Sequence, residues 1–220
     1  MLRLEKVVYR YKKNGPNILK GISADFESGK LTAIIGPSGS GKTTLLSIMA
    51  GLDRPSSGNI YIGKANLTNL NLDHYRRERI SMIFQAFHLF PLLTTLENVC
   101  YPMEVNKVSA REAKKRAVEL LESVGIAEEK HKRYPANLSG GEQQRVAIAR
   151  ALSTGAKVIL ADEPTGNLDM ANGIAVVEIL KDLAHDKGYA IIVVTHNLEL
   201  ADTSDVVYRM SDGDLLAHFP

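Results

Sequence analysis

The eight residues Gly36-Pro37-Ser38-Gly39-Ser40-Gly41-Lys42-Thr43 carry the spacing G-x-x-x-x-G-K-[ST]. Glycines at those places let successive backbone N–H groups curl around phosphate oxygens, and a helix leaving the loop points its positive dipole end at them. Lys42 is then placed to meet the outer phosphates of a nucleotide. The hydroxyl of Thr43 can enter the shell of Mg²⁺, with Thr44 next in the cradle. A second stretch also suits an anion. Ser139-Gly140-Gly141-Glu142 joins an N-cap serine, two residues without Cβ and a glutamate at the capping-box position, ahead of the helix-forming run Gln143 to Leu152. Ser139 and Glu142 would cap that helix with or without a ligand, for about 1 kcal/mol. Capping alone does not ask for Gly140 and Gly141, which weaken a helix start unless something approaches the backbone closely.

The apolar run Val158 to Ala161 ends in two carboxylates, Asp162 and Glu163, closed by Pro164. Acids at a buried strand tip are costly unless a cation or a reacting water uses them. Asp162 suits the Mg²⁺ shell, and Glu163 suits polarising a water for attack on a γ-phosphate. An acidic surface turn is the plainer alternative. Gln85 follows the run Ile80 to Phe84 and could bond both Mg²⁺ and a water, although a solitary glutamine carries no assignment. His196 ends the run Ile191 to Thr195, where a doubly wound sheet has its catalytic edge. A structural histidine would read the same way. Tyr11 could stack on adenine or be an ordinary aromatic at a strand end.

These residues need elements to hold them. Leu2 to Tyr11, Ile18 to Phe26 and Asn59 to Ile62 read as short strands broken by turns, which predicts an antiparallel edge sheet. Leu31 to Ile35 is a buried strand running into the glycine loop, and Thr43 to Ala50 is the helix leaving it. From about Arg76 to Leu152 the chain turns helical and charged. Ser109-Ala110-Arg111-Glu112 is a capping box opening a helix with Ala113, Ala117, Leu121 and Val124 on one face, stopped by Gly125. Lys157 to Ala161 and Tyr189 to Thr195 are strands separated by a helix through Ile174, Val177, Leu180 and Ala184, which implies a parallel sheet. Asp205 to Met210, Ser211-Asp212-Gly213 and Leu215 to Phe219 read as a closing hairpin.

Composition narrows the class. With 220 residues, 45% apolar and 24% charged, the chain is large enough for a substantial core. A net charge of +2 with dispersed cations gives no field for nucleic acid. The single cysteine, Cys100, allows no disulfide framework and suits a reducing compartment such as the cytoplasm. The start Met1-Leu2-Arg3-Leu4-Glu5 lacks a signal-peptide core. The longest apolar run, Tyr189 to Val194, falls far short of the roughly 20 residues of a membrane helix.

Glycine loop, Gln85, Leu138-Ser139-Gly140-Gly141-Glu142-Gln143, Asp162-Glu163, Asn167-Leu168-Asp169 and His196 occur once each and in one order. In that combination the chain resembles the ATPase subunit of an ABC transporter over its whole length. The resemblance implies an α/β P-loop NTPase core with a mostly parallel sheet, an N-terminal antiparallel β subdomain and an inserted α-helical subdomain. Residues 1–220 would then be one domain, with 1–85 and 157–220 as the core and 86–156 as the helical insert. It implies ATP and Mg²⁺ as cofactors, Tyr11 on adenine, and Gln85 as the switch sensing Mg²⁺ and the membrane partner. Ser139 to Glu142 would cap the ATP of a second copy, Asp169 would join the two sites, His196 would contact the γ-phosphate and Glu163 would be the catalytic carboxylate.

The finer likeness is to short subunits of the MacB, LolD and FtsE type, through the glycine loop and Asp162-Glu163-Pro164-Thr165-Gly166-Asn167-Leu168-Asp169. It implies an integral membrane permease as partner, a periplasmic or extracellular adaptor in a MacB-like assembly, and a peripheral place on the inner face of the cell membrane. One departure is Gly155-Ala156, where many members have Asn-Pro; it touches a turn and no catalytic assignment. The segment Ala86 to Val99, rich in large apolar residues, is expected to help form the groove for the permease. A soluble ABC-type ATPase acting on DNA or ribosomes is the alternative. It is disfavoured because no long coiled coil, zinc module or second motif set is present. A non-hydrolysing nucleotide binder is disfavoured because Glu163, Gln85 and His196 are all in place.

Overall fold

The computed structural model describes residues 1–218; Phe219, expected at the end of the last strand, lies outside them. In chain order come β1 (Leu2–Tyr9), β2 (Leu19–Phe26), β3 (Leu31–Ile35), α1 (Lys42–Met49), β4 (Ser57–Ile62), β5 (Ala65–Asn66), α2 (Leu72–Glu78) and β6 (Ile80–Phe84). There follow α3 (Thr95–Val105), α4 (Ala110–Ser123), α5 (Gly140–Ser153), β7 (Val158–Asp162), α6 (Met170–His185), β8 (Ala190–Thr195), α7 (Leu198–Asp202), β9 (Val206–Ser211) and β10 (Asp214–His218).

The uninterrupted apolar strands form the centre. β3, β8, β7 and β6 lie parallel, β9 joins β3 in parallel, and β10 closes that side antiparallel. Being buried on both faces, the inner strands send alternate residues to two cores. Leu31, Ala33, Ile159, Ala161, Ile191 and Val193 enter the core shared with α3 to α6, whereas Ile34, Leu160, Ile192 and Val194 enter the one shared with α1.

The second core is covered by the antiparallel sheet β2-β1-β4-β5. β1 ends at Tyr9, so Tyr11 lies beyond the strand rather than at its tip. Leu2, Leu4, Val7 and Tyr9 are all buried despite the odd step between Leu4 and Val7. A bulge there, with Lys6 at φ 48°, changes the parity and keeps both pairs inside. Gly58 accommodates it, because a Cβ at that position would lie 2.3 Å from the Lys6 carbonyl oxygen.

The helical insert follows its pattern, with Ala113, Ala117 and Leu121 of α4 and Val124 beyond it buried, and Gly125 at φ 74° turning the chain. The expected capping box at Ser109 is only half made. Ser109 accepts the Glu112 N–H, but the Glu112 carboxylate turns to Arg116. Two other boxes are complete, Thr94 with Glu97 and Ser139 with Glu142. α1 starts at Lys42 and is capped by Ala50. The short helix α2 was not foreseen, since Tyr75 is its only buried residue and leaves no period to read.

At the start of β3, Asp205 accepts the Leu31 N–H at 2.7 Å and donates its own N–H to the Leu31 carbonyl at 2.9 Å. His185 Nε2 approaches the same carboxylate at 3.0 Å. Burial would raise this carboxyl, but the Leu31 N–H and His185 outweigh it and hold it below its ordinary value. Asp205→Asn is therefore expected to cost about 1 kcal/mol near neutral pH, a modest figure for a carboxylate still partly in water. A depressed carboxyl stabilises fully above the unfolded pKa and loses its contribution as pH falls through the folded one. Urea unfolding at pH 6 and pH 3 should show the gap between parent and variant shrinking on acidification, and a gap that widens would contradict this account.

Candidate active site

Parallel pairing sets Ile35 opposite Thr195, Val194 opposite Asp162, and Asp162 opposite Phe84. The first residues out of β3, β8, β7 and β6 are therefore Gly36, His196, Glu163 and Gln85, gathered at one edge of the sheet. Open α/β sheets bind ligands at that edge.

The glycine loop is braced from the far end of the chain. A Cβ on Gly36 would lie 2.1 Å from the Met210 carbonyl oxygen, and Gly213 donates its N–H to the Ser40 carbonyl at 3.1 Å. Pro37, Ser38 and Gly39 face outward, and the buried Ser40 hydroxyl has no partner among the described residues. Gly41, at φ 106°, opens α1. Lys42 Nζ donates to the carbonyls of Gly36 at 2.7 Å and Pro37 at 2.9 Å, closing the ring of the loop. Tyr11 is 70% exposed, its hydroxyl 2.9 Å from Thr44 Oγ1 and its ring edge-on to Tyr9.

Asp162 ends β7 beside this loop. Burial raises its carboxyl and Glu163 adds to the effect, while the Thr43 hydroxyl and Lys42 act the other way. Glu163 sits at φ 48°, a left-handed conformation that costs a non-glycine residue on the order of 1 kcal/mol. Its carboxylate is held by His196 Nδ1 at 2.8 Å, by the Thr195 hydroxyl at 3.2 Å and by the His196 N–H at 3.3 Å. The His196 ring is otherwise largely in solvent. Gln85 does not reach Thr43 or Asp162 here. Its Nε2 donates to Asn167 Oδ1 at 3.1 Å, and Asn167 Nδ2 returns a bond to the Gln85 carbonyl at 3.0 Å.

Ser139 is exposed and caps α5 in both directions, accepting the Glu142 N–H while its own N–H goes to Glu142 Oε2 at 2.8 Å. Lys130 pairs with the other carboxylate oxygen and holds Glu142 below its ordinary pKa. The two glycines differ in what lies against them. A Cβ on Gly140 would make only ordinary contacts, whereas one on Gly141 would lie 2.0 Å from Asn172 Oδ1 of the same chain.

Three further residues join the parts. Gln144, wholly buried, donates to the Pro164 carbonyl at 2.7 Å, tying α5 to the turn after Glu163. Arg150 donates to the carbonyls of His88 at 2.6 Å and Phe87 at 2.9 Å, both left-handed residues following Gln85. Asn98, also wholly buried, accepts the Phe90 N–H and donates to the carbonyls of Phe90, Leu93 and Thr94. Sequence reasoning passed over all three: Gln144 and Arg150 look solvated until partners 20 and 62 or 63 residues away are known, and Asn98 folds back on the loop before its own helix.

The ABC transporter family model matches residues 19–166. An ABC transporter ATP-binding protein of Thermotoga maritima is 48% identical over 89% of this chain and 84% of its own length. The macrolide export ATP-binding/permease protein MacB 2 of Yersinia pestis is 42% identical over 100% of this chain, which spans 33% of that relative. Among solved structures, a dimeric form of the bacterial ABC transporter cassette MJ0796 superposes with a TM-score of 0.88 at 39% identity, covering 98% of this chain and 96% of that one. A second dimeric structure of that cassette is in a post-hydrolysis state with ADP and Pi. With the glycine loop, paired acids and serine-glycine turn assembled on this shared fold, the chain belongs to the ABC transporter family as an ATP-binding ATPase subunit.

Proposed function

We propose that two copies of this subunit close around two ATP molecules and that hydrolysis drives a separate membrane permease, in export or mechanical work of the MacB kind. The observation that carries the dimer is the division of the anion-binding groups. The glycine loop stands on the parallel core and the Ser139 turn on the helical insert, and no hydrogen bond joins them among the described residues. The dimeric state of the related cassette MJ0796 supports the same reading. In this arrangement Gly36 to Thr44 cradle the phosphates, Tyr11 lies against adenine, and Ser139 to Glu142 of the second copy complete the site. Moving a closed state from 1% to 99% takes about 5.5 kcal/mol. A few charge-assisted bonds of about 1.5–3 kcal/mol each, made at two nucleotides, suffice.

Thr43, Asp162 and Gln85 would hold Mg²⁺. The desolvated carboxyl of Asp162 beside the Thr43 hydroxyl fits a hard cation with oxygen ligands. Among the described residues no group of three or more His, Cys, Asp or Glu is placed to hold a metal ion by itself, which suits an ion held chiefly by phosphates and water. Mg²⁺ would neutralise charge on the β- and γ-phosphates. Glu163 would polarise the attacking water, with His196 orienting its carboxylate and contacting the γ-phosphate. Loss of that phosphate removes the bridging bonds and lets the copies part.

No helix of the described residues is long and apolar enough to cross a membrane. The permease would dock in a groove of about 350 Å³ lined by Met82, Phe84, Phe90, Tyr101, Pro102 and Val105. Of the expected segment 86–99 only Phe90 lines it, while Val99 is buried and Leu89 and Leu96 pack on the core. Docking there would keep the subunit on the inner face of the membrane; an extracellular or periplasmic adaptor belongs to the MacB-like version of the assembly.

Glu163→Gln is expected to bind ATP within about twofold of the parent, to lose at least about 100-fold in turnover and to elute as a dimer with ATP. Hydrolysis at the parental rate would remove Glu163 from the role. Lys42→Ala should weaken ATP binding by about tenfold or more in calorimetry, since a charge-assisted phosphate contact is lost; unchanged affinity would refute the cradle. Tyr101→Glu with Val105→Glu should leave the ATPase of the isolated subunit within about twofold and release it from sedimented membranes, the cost of burying charge being several kcal/mol. Equal sedimentation of parent and variant would rule out the groove.

A further inference from the structure

Gly141 is buried in the first turn of α5, and the space a side chain would need is taken by Asn172 of α6. A Cβ there would lie 2.0 Å from Asn172 Oδ1, 2.3 Å from its Cγ and 2.8 Å from its Cβ, so rotating the amide alone would not clear it. Asn172 is itself fixed. Its N–H donates to Asp169 Oδ1 at 2.9 Å and its Nδ2 to Asp169 Oδ2 at 2.8 Å, while its Oδ1 accepts from Arg145 Nη1 at 3.3 Å. The carboxylate of Asp169 caps α6, and Arg145 lies one turn beyond Gly141 on α5. A single carboxamide thus touches the loop containing Asp169, the glycine of the serine-glycine turn and the arginine of its helix.

We propose that Asn172 is a positioning residue that fastens the Asp169 loop to the Ser139 turn, so that the two surfaces offered to a second copy move as one body. This rests on the dimeric reading above and goes beyond it, since it gives Gly141 a duty within its own chain. Gly140, with ordinary contacts only, keeps its backbone open for the neighbour's nucleotide. Asn172 touches neither ATP nor water in this role. It sets the relative placement of groups that do.

The test is a double-mutant cycle in the full chain: Gly141→Ala, Asn172→Ala and the pair, each read by steady-state ATPase, by ATP affinity in calorimetry and by thermal midpoint. Gly141→Ala is expected to lower kcat about tenfold with KM and ATP affinity within about twofold, because the glycine loop is intact. Asn172→Ala should lower kcat less, and in the pair it should recover part of the Gly141→Ala loss, because the approaches of 2.0 Å and 2.3 Å to the amide are removed while that of 2.8 Å to the Cβ of residue 172 remains. A pair as slow as Gly141→Ala, or an Asn172→Ala variant indistinguishable from the parent in kcat, would overturn the proposal. The thermal midpoints carry the same cycle without needing a dimer, and additive shifts there would overturn the contact itself. If the Glu163→Gln protein failed to dimerise with ATP, the dimeric reading would fall alone, while non-additive midpoints would still establish the Gly141–Asn172 fit.

Discussion

The alignment of strand ends in the parallel sheet is the constraint on which this site depends. Backbone pairing puts Ile35, Thr195, Asp162 and Phe84 at nearly the same height, so the residues that follow them reach solvent together. A slip of one residue in any strand would turn its buried set to the wrong core and also displace its catalytic-edge residue. Packing therefore enforces the site. The two cores, each filled by alternate residues of the same strands, hold the register from both sides.

That edge is expensive in conformational terms. Glu163, Phe87 and His88 all adopt left-handed backbone, and each is held by partners from elsewhere in the chain. Glu163 is gripped by Thr195 and His196, and the carbonyls of Phe87 and His88 by Arg150. Desolvation lowers the pKa of the Arg150 guanidinium, although it remains a cation, and its two carbonyl partners offset the cost of bringing it there. Strain persists at these positions because the surroundings over-determine it.

Much of this was legible in the sequence because it is local. A glycine loop leading into a helix, a complete capping box at Ser139 and an apolar run ending in two acids are each written in consecutive residues. So were the parallel core, the antiparallel edge sheet and the buried face of α4. What escaped was a competition between near neighbours, an element too short to show a period, or a fit between distant segments. The half-made box at Ser109 depended on Arg116 competing for Glu112. The short helix α2 had too few buried residues to set a period, and the first strand was read without its bulge at Lys6. Gly140 and Gly141 look alike in sequence, yet only one of them has a side chain from α6 pressed against it.

The helix α5 is fixed at three points along its length: Ser139 and Glu142 cap its start, Gln144 ties its middle to Pro164, and Arg150 near its end holds the carbonyls of Phe87 and His88. Gln144 is anchored to Pro164 between the other two, which makes it the natural fulcrum of a see-saw. At 1.5 Å per residue, Arg150 lies about 9 Å to one side of that point and Ser139 about 7.5 Å to the other. A tilt of about 10° would carry the two ends about 1.5 Å and 1.3 Å in opposite directions.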